Sequence, residues 1–253
     1  MSRKPVPKSW KLIKASLADL RLNWWSYVRL IVIVEIPIGI LSIWLGSDNA
    51  FGAYSSLASI VMNMAVIFAV AQITTKDKRA TIKDAYYKGT RRFVPFLLAS
   101  LALLAVFIPV LIGIAVYALS TVSQEGYGVS IGQQVLGLLI GLILAIPSFW
   151  FGLRLMFAPY AVMLDSLDPI AAIKFSRQLT LSNYWLLFSR VIILTLVVIL
   201  VYTITAIPRL LFGQFTGSTA ITPAFQVLTT CLILPFIHSY LLKLYRALSQ
   251  EAA

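Results

Sequence analysis

The sequence predicts an all-α integral membrane protein with six transmembrane helices, arranged as three helical hairpins that are each preceded by a cytoplasmic interfacial amphipathic helix. Apolar residues make up 60% of the 253 residues, and charged residues only 12%, whereas a soluble domain carries about 25% charged residues. The apolar residues also lie in long blocks. Such a composition suits a chain whose surface is mostly covered by lipid. We therefore expect residues 1–253 to form a single membrane domain.

Six apolar stretches are long enough to cross a bilayer, whose ~30 Å hydrocarbon core takes about 20 helical residues. They are Tyr27–Leu45, Phe51–Ile73, Phe93–Ser120, Val135–Met163, Leu186–Ile207 and Pro223–Leu244. Several contain or adjoin proline, and kinks are tolerated in lipid where neighbouring groups satisfy the freed carbonyls. In the fourth stretch, Gly137 and Gly141 have a spacing that allows two helices to approach closely.

Basic residues flank these stretches on one side only. Seventeen Lys and Arg lie before the first stretch, in the second and fourth connections and at the C-terminal end of the chain, and one, Arg209, lies in the opposite connections. The positive-inside rule then places both termini in the cytoplasm, and we expect a multi-pass protein of the bacterial inner membrane. Because these residues adjoin apolar stretches, we expect anionic phospholipids as partners and not nucleic acid.

A sequence pattern recurs before the first and fifth stretches. Residues 13–25 and 173–185 both begin with Ile-Lys, have Ser three residues after the Ile, and end in Asn-aromatic-Trp at the same offsets. A weaker copy begins at Ile82-Lys83. The pattern predicts three repeats, residues 8–73, 79–163 and 167–248, each an interfacial helix followed by two spans.

The interfacial helices are predicted from capping and periodicity. Asp168 is a good N-cap, and Pro169 suits the first helical position. In such a helix the apolar stripe enters the acyl region while the lysines lie among headgroups. We expect five basic residues to contact lipid in this way: Lys11, Lys14, Lys83, Lys174 and Arg177. The alternative is that these segments merely connect spans.

The stretch Arg154–Trp185 carries a group of motifs: Arg154, Phe157-Ala158-Pro159-Tyr160, Asp168-Pro169-Ile170 with Ala172, then Ser176, Leu179-Thr180 and Asn183-Tyr184. With these motifs the chain resembles the membrane-domain family of bacterial glycerophosphodiester phosphodiesterases and related stand-alone six-span membrane proteins. The resemblance implies a six-helix membrane module. It does not imply phosphodiesterase activity, which in that family belongs to a separate soluble domain.

Polar residues in the inner halves of the spans form the candidate site. A carboxylate such as Glu35 inside the membrane is costly unless it is paired, protonated or exposed to water. Glu35, Arg154, Arg190 and His238 are candidates to bind an anion or a lipid headgroup, with Asn63 and Gln72 as further polar groups. The alternative is a buried Glu35–Arg154 pair that fixes helix packing, with Arg190 extending to the headgroups.

Signatures of enzymatic chemistry are lacking in the sequence. It contains no Walker-type glycine loop, no HExxH, no G-x-S-x-G, and a single Cys and a single His. We therefore expect no enzyme activity, metal or cofactor, since an intramembrane enzyme would need a nucleophile or metal site. The favoured function is a non-enzymatic protein that binds anionic lipid or a membrane protein partner. The alternative is a transporter, channel or lipid-translocating protein that uses a polar cluster open to the cytoplasm.

Overall fold

The computed structural model describes residues 6–45, 49–76, 81–121, 131–216 and 221–252. Its helices are α1 (Ser9–Leu45), α2 (Asn49–Lys76), α3 (Ile82–Gly89), α4 (Phe93–Val106), α5 (Ile108–Thr121), α6 (Ile131–Leu155), α7 (Ala158–Leu164), α8 (Pro169–Leu181), α9 (Tyr184–Thr216) and α10 (Ile221–Ala252). A 3-10 turn, Thr90–Arg92, joins α3 to α4. The all-α fold is confirmed, with six helices long and apolar enough to cross a membrane. Arg3, Lys4, Lys78, Arg79 and parts of the connections Thr121–Gly132 and Arg209–Thr222 lie outside the described residues.

The third predicted span is two helices in the structure. α4 ends at Val106 and α5 begins at Ile108. The Phe107 N–H donates to the Leu104 carbonyl, only three residues back, at 2.9 Å. Pro109 accounts for the break, because it has no N–H and its ring displaces the carbonyl four residues earlier. The predicted span Phe93–Ser120 therefore comprises two helices, α4 and α5.

The fourth span is also interrupted. α6 ends at Leu155, and α7 begins at Ala158 with Pro159 as its second residue. Proline is accepted in the first turn of a helix, where its missing N–H has no intrahelical partner to lose. The proline of the Phe-Ala-Pro-Tyr motif thus begins a new helix, and the predicted span Val135–Met163 comprises most of α6 and α7.

Each amphipathic segment meets the following span at a break. Within α1, Asn23 has non-helical backbone angles (φ −116°, ψ 18°) and separates an amphipathic part from an apolar part. Between α8 and α9, Ser182 and Asn183 form a turn. At the start of α8, Asp168 has extended backbone and Pro169 is the first helical residue, as predicted. The threefold repeat stays a prediction that these matching breaks support.

The chain divides into two compact units. Unit 1 comprises Met1–Phe93, Met163–Asp165 and Phe188–Ala253, and unit 2 comprises Val94–Val162 and Ser166–Leu187. In unit 1, α1, α2 and α10 pack against one another and α3 packs against α2. In unit 2, α5 and α8 each pack against α6. The prediction of one membrane domain over residues 1–253 stays open.

The amphipathic segments bury small residues at matching positions. Ser16, Ala85 and Ser176 each lie three residues after the Ile of the repeated pattern, and all three are fully buried. In α3, Gly89 lies so close to α2 that a β-carbon there would be 3.3 Å from the Cα of Ala65. Small residues on this face allow the amphipathic helix to pack directly against a span.

Candidate functional site

Polar side chains inside unit 1 concentrate at one end of its helices, the N-terminal parts of α1 and α9 and the C-terminal parts of α2 and α10. We call this the basic end. There the Lys243 ammonium lies 2.5 Å from Oδ2 of Asp19, with both side chains mostly buried. The Ser239 hydroxyl donates to the same carboxylate oxygen at 2.8 Å. This cluster connects the amphipathic part of α1 to α10.

Arg190, a predicted site residue, connects three helices at the basic end. Its Nη1 donates to the Ser9 hydroxyl at 2.8 Å. Its backbone carbonyl accepts a hydrogen bond from the Tyr240 hydroxyl at 3.1 Å. The guanidinium is thus engaged by the start of α1, which gives Arg190 a structural role in these contacts.

His238 and Asn63, both singled out from the sequence, form a pair. The imidazole Nε2 lies 3.1 Å from the amide oxygen of Asn63, and His238 is only 9% exposed. The Asn63 amide nitrogen donates to the Ser59 carbonyl at 2.7 Å. This contact joins α2 to α10 through neutral polar groups, which satisfies both of them in the interior.

Glu35 lies in unit 1, away from the basic end. Its side chain is 8% exposed and is within hydrogen-bonding reach of Thr230 on α10. Thr230 also lines a cavity of about 310 Å³ between α9 and α10, together with Tyr202, Thr205 and Gln226 among others. The buried carboxyl group therefore lies next to a residue of a hydroxyl-rich cavity.

Arg154 lies in unit 2. Its guanidinium carbon is 3.6 Å from the ring centroid of Trp150, a cation–π contact. Glu35 belongs to unit 1. The predicted pairing of Glu35 with Arg154 therefore stays a prediction.

Ser176 explains much of the motif around Arg154. Its hydroxyl donates to the Arg154 carbonyl at 2.7 Å and accepts from the Phe157 N–H at 3.2 Å. These two backbone groups lie at the break between α6 and α7, where regular helical bonding is lost. One buried serine of α8 therefore satisfies both groups, and this part of the motif is structural.

The five basic residues predicted to contact lipid all have exposed side chains in the structure: Lys11, Lys14, Lys83, Lys174 and Arg177. Large apolar side chains lie exposed beside them. On α1 these are Trp10, which is 66% exposed, and Leu17. The start of α1 therefore presents both charge and apolar surface outward.

A second cavity in unit 1 was not predicted from the sequence. It measures about 520 Å³ and lies at the basic end, where its polar lining residues are Gln72, Lys88, Asp165, Tyr245, Arg246 and Ser249. Lys88 and Arg246 contributed to the predicted orientation but not to a predicted site. Nothing in their spacing along the chain indicates that α2, α3, α10 and Asp165 meet there.

Among the described residues, no group of three or more His, Cys, Asp and Glu side chains is placed to hold a metal ion. The polar groups of unit 1 instead suit hydrogen bonding and the binding of charged or hydroxylated groups.

In a comparison with protein families, one family model matches residues 31–248 of the chain. Comparisons with curated proteins and with solved structures find no match. The resemblance to the membrane domain of glycerophosphodiester phosphodiesterases stays a prediction. The match covers most of the sequence and all six apolar helices in whole or in part, and the chain therefore belongs to the family described as a domain of unknown function, DUF7847.

Proposed function

We propose that this multi-pass membrane protein is a non-enzymatic binding protein for anionic phospholipid, with both termini in the cytoplasm and its amphipathic helices at the inner surface of a bacterial cytoplasmic membrane. One observation carries the proposal. The amphipathic helices expose basic side chains next to exposed apolar ones, while a third face packs against the spans.

The start of α1 illustrates this arrangement. Leu12 and Leu20 are buried against the protein, whereas Lys11 and Lys14 are exposed beside Trp10. A helix of this kind lies in the plane of the interface, with its apolar side chains at the acyl boundary and its lysines among the headgroups.

α8 repeats the arrangement in unit 2. Ala172 and Leu179 are buried, Lys174 and Arg177 are exposed, and Ile170 is exposed at the first turn. Because two segments far apart in the sequence share this pattern, a connecting role alone does not account for it.

The electrostatic attraction of the exposed basic residues is large enough to favour anionic lipid. A basic residue near an anionic membrane surface contributes about 1 kcal/mol, so the five exposed residues together give up to about 5 kcal/mol. Screening reduces this attraction within a Debye length of about 10 Å at moderate salt, so bound anionic lipid should decline as salt rises.

The test replaces Lys11, Lys14, Lys174 and Arg177 together by Gln and measures the phospholipid retained after purification in mild detergent. We expect the ratio of anionic to zwitterionic lipid to fall several-fold. The matched control exchanges Lys for Arg and Arg for Lys at the same positions, keeping the charge, and should retain wild-type lipid. Unchanged retention in the Gln variant would contradict the proposal.

A membrane protein is the second proposed binding partner of the same helices. The resemblance of Arg154–Trp185 to a membrane module found beside other domains supports this form of the proposal. Cross-linking from a photoreactive residue at exposed Ile170 should then capture a defined protein in membranes, and the neutralised variant should lose it. Cross-links to lipid alone would argue against a partner.

The second candidate function is transport, by a transporter, channel or lipid-translocating protein. The observation that favours it is the buried Glu35 carboxyl group beside Thr230, which lines the hydroxyl-rich cavity between α9 and α10. We expect Glu35→Gln to abolish flux of protons, cations or labelled lipid across reconstituted vesicles while the protein stays folded. Full flux in this variant would remove Glu35 from the mechanism.

A further inference from the structure

We propose that the 520 Å³ cavity at the basic end of unit 1 binds the phosphodiester of a phospholipid headgroup between Lys88 and Arg246. The inference rests on the proposed lipid-binding function and assigns it a defined site with one lipid per chain. It is separate from the five exposed basic residues Lys11, Lys14, Lys83, Lys174 and Arg177, none of which lines this cavity.

The two cations come from different helices. Lys88 is in the last turn of α3, and Arg246 is in the C-terminal part of α10. Gln72 of α2 adds an amide donor, whereas the Ser249 hydroxyl donates to the Arg246 carbonyl at 3.1 Å. Three donor side chains on three helices thus surround one space, and phosphate oxygens are acceptors that such groups bind well.

Each cation lies under the influence of one carboxylate and carries several N–H donors. The Lys88 ammonium lies 2.8 Å from Oδ1 of Asp84, and an ammonium has three N–H donors. Arg246 experiences the charge of Asp165, and a guanidinium has five donors. A bound phosphate would therefore share each cation with a carboxylate.

Asp165 defines which headgroups fit. Its carboxylate accepts a hydrogen bond from the Tyr245 hydroxyl and lines the same cavity. A bare phosphate would be repelled by this negative charge. A headgroup that carries a hydroxyl or ammonium group beyond its phosphate, such as glycerol or ethanolamine, can donate to Asp165 while its phosphate lies near the two cations.

The remaining wall is apolar. Phe68, Met163 and Leu164 also line the cavity and suit the glycerol backbone and the first acyl carbons of a lipid. The volume falls within the 300–1,000 Å³ range typical of small-molecule sites. A membrane lipid therefore matches the lining better than a fully polar soluble ligand.

The experiment is native mass spectrometry of delipidated protein titrated with phosphatidylglycerol, phosphatidylethanolamine, glycerol 3-phosphate or inorganic phosphate. Wild type should retain one phospholipid per chain. Lys88→Gln and Arg246→Gln should each weaken this binding at least tenfold. Ser249→Phe, which fills the space without changing charge, should do the same, and thermal unfolding verifies that all variants are folded.

A matched control separates the site from general attraction. Arg91→Gln removes an exposed charge that does not line the cavity, and this variant should keep the single lipid. If the cavity variants retain it as wild type does, the inference is overturned even where the exposed-lysine variant confirms lipid binding. If inorganic phosphate or glycerol 3-phosphate displaces the lipid at equal concentration, the ligand is a soluble phosphate and the lipid assignment is overturned.

Discussion

The helices inside each compact unit are joined by different kinds of contact in unit 1 and in unit 2. In unit 1, polar side chains join the helices, as in Asp19 with Lys243 and His238 with Asn63. In unit 2, backbones approach directly: a β-carbon on Gly113 of α5 would lie 2.8 Å from the Cα of Gly141 on α6. The predicted close approach at Gly141 is thus present, with α5 as the neighbouring helix.

This difference follows from lipid as a solvent. Without water there is little hydrophobic drive between helices, so either interhelical hydrogen bonds or small residues must hold them. The helices of unit 2 are joined by small residues and one bridging serine, and these contacts offer few polar groups to a ligand. Unit 1 places charges and donors around cavities, which is why both candidate sites are assigned to it.

The largest expected effect is on the buried ion pair of unit 1. Lys243→Met leaves the mostly buried Asp19 carboxylate without its cation, and we expect a loss of about 3 kcal/mol in unfolding free energy. Thermal unfolding in detergent measures it. The double variant Asp19→Leu with Lys243→Met removes both charges and should recover most of the loss. A double variant as unstable as the single one would contradict the ion-pair assignment.

The contact between Gly113 and Gly141 is the corresponding test for unit 2, again measured by thermal unfolding. Gly113→Leu forces α5 and α6 apart, at a cost of about 1–3 kcal/mol for an overpacked core. Gly52→Leu is the matched control, because a β-carbon there meets no atom within 4 Å. Equal stability of the two variants would show that the close approach is not important for unit 2.

The smallest effect distinguishes two serines at matching positions of the predicted repeat. Ser176→Ala leaves the Arg154 carbonyl and Phe157 N–H without their partner, and we expect a loss of about 1–2 kcal/mol. The buried Ser16 hydroxyl has no hydrogen-bond partner among the described residues, so Ser16→Ala should change stability by less than about 0.5 kcal/mol. If both substitutions cost the same, the bridging role of Ser176 is wrong.

Sequence patterns predicted the helical fold well because hydrophobic length alone identifies membrane-spanning segments. They missed the breaks at Phe107 and before Ala158, since a proline in lipid can either kink a helix or end it. Whether a proline ends the helix depends on hydrogen-bond partners such as Ser176, which lies 22 residues from Arg154. Such partners come from packing and not from local sequence.

The candidate site was predictable only in part. Glu35, Arg190 and His238 were found because a polar group inside an apolar span is conspicuous. Asp19, Lys243 and Arg246 were not, because charged residues near the membrane surface are ordinary. Their importance comes from burial and from side chains that are distant in the sequence, as for Ser239 and Asp19, which are 220 residues apart.

The central claim is that the ligand site lies in unit 1 and not at Arg154 of unit 2. Native mass spectrometry of Arg246→Gln beside Arg154→Ala, both purified in mild detergent, tests it most directly. We predict that Arg246→Gln loses the retained phospholipid, while Arg154→Ala keeps it, because the Arg154 guanidinium lies over Trp150. Retention by Arg246→Gln with loss by Arg154→Ala would contradict the account and place the site in unit 2.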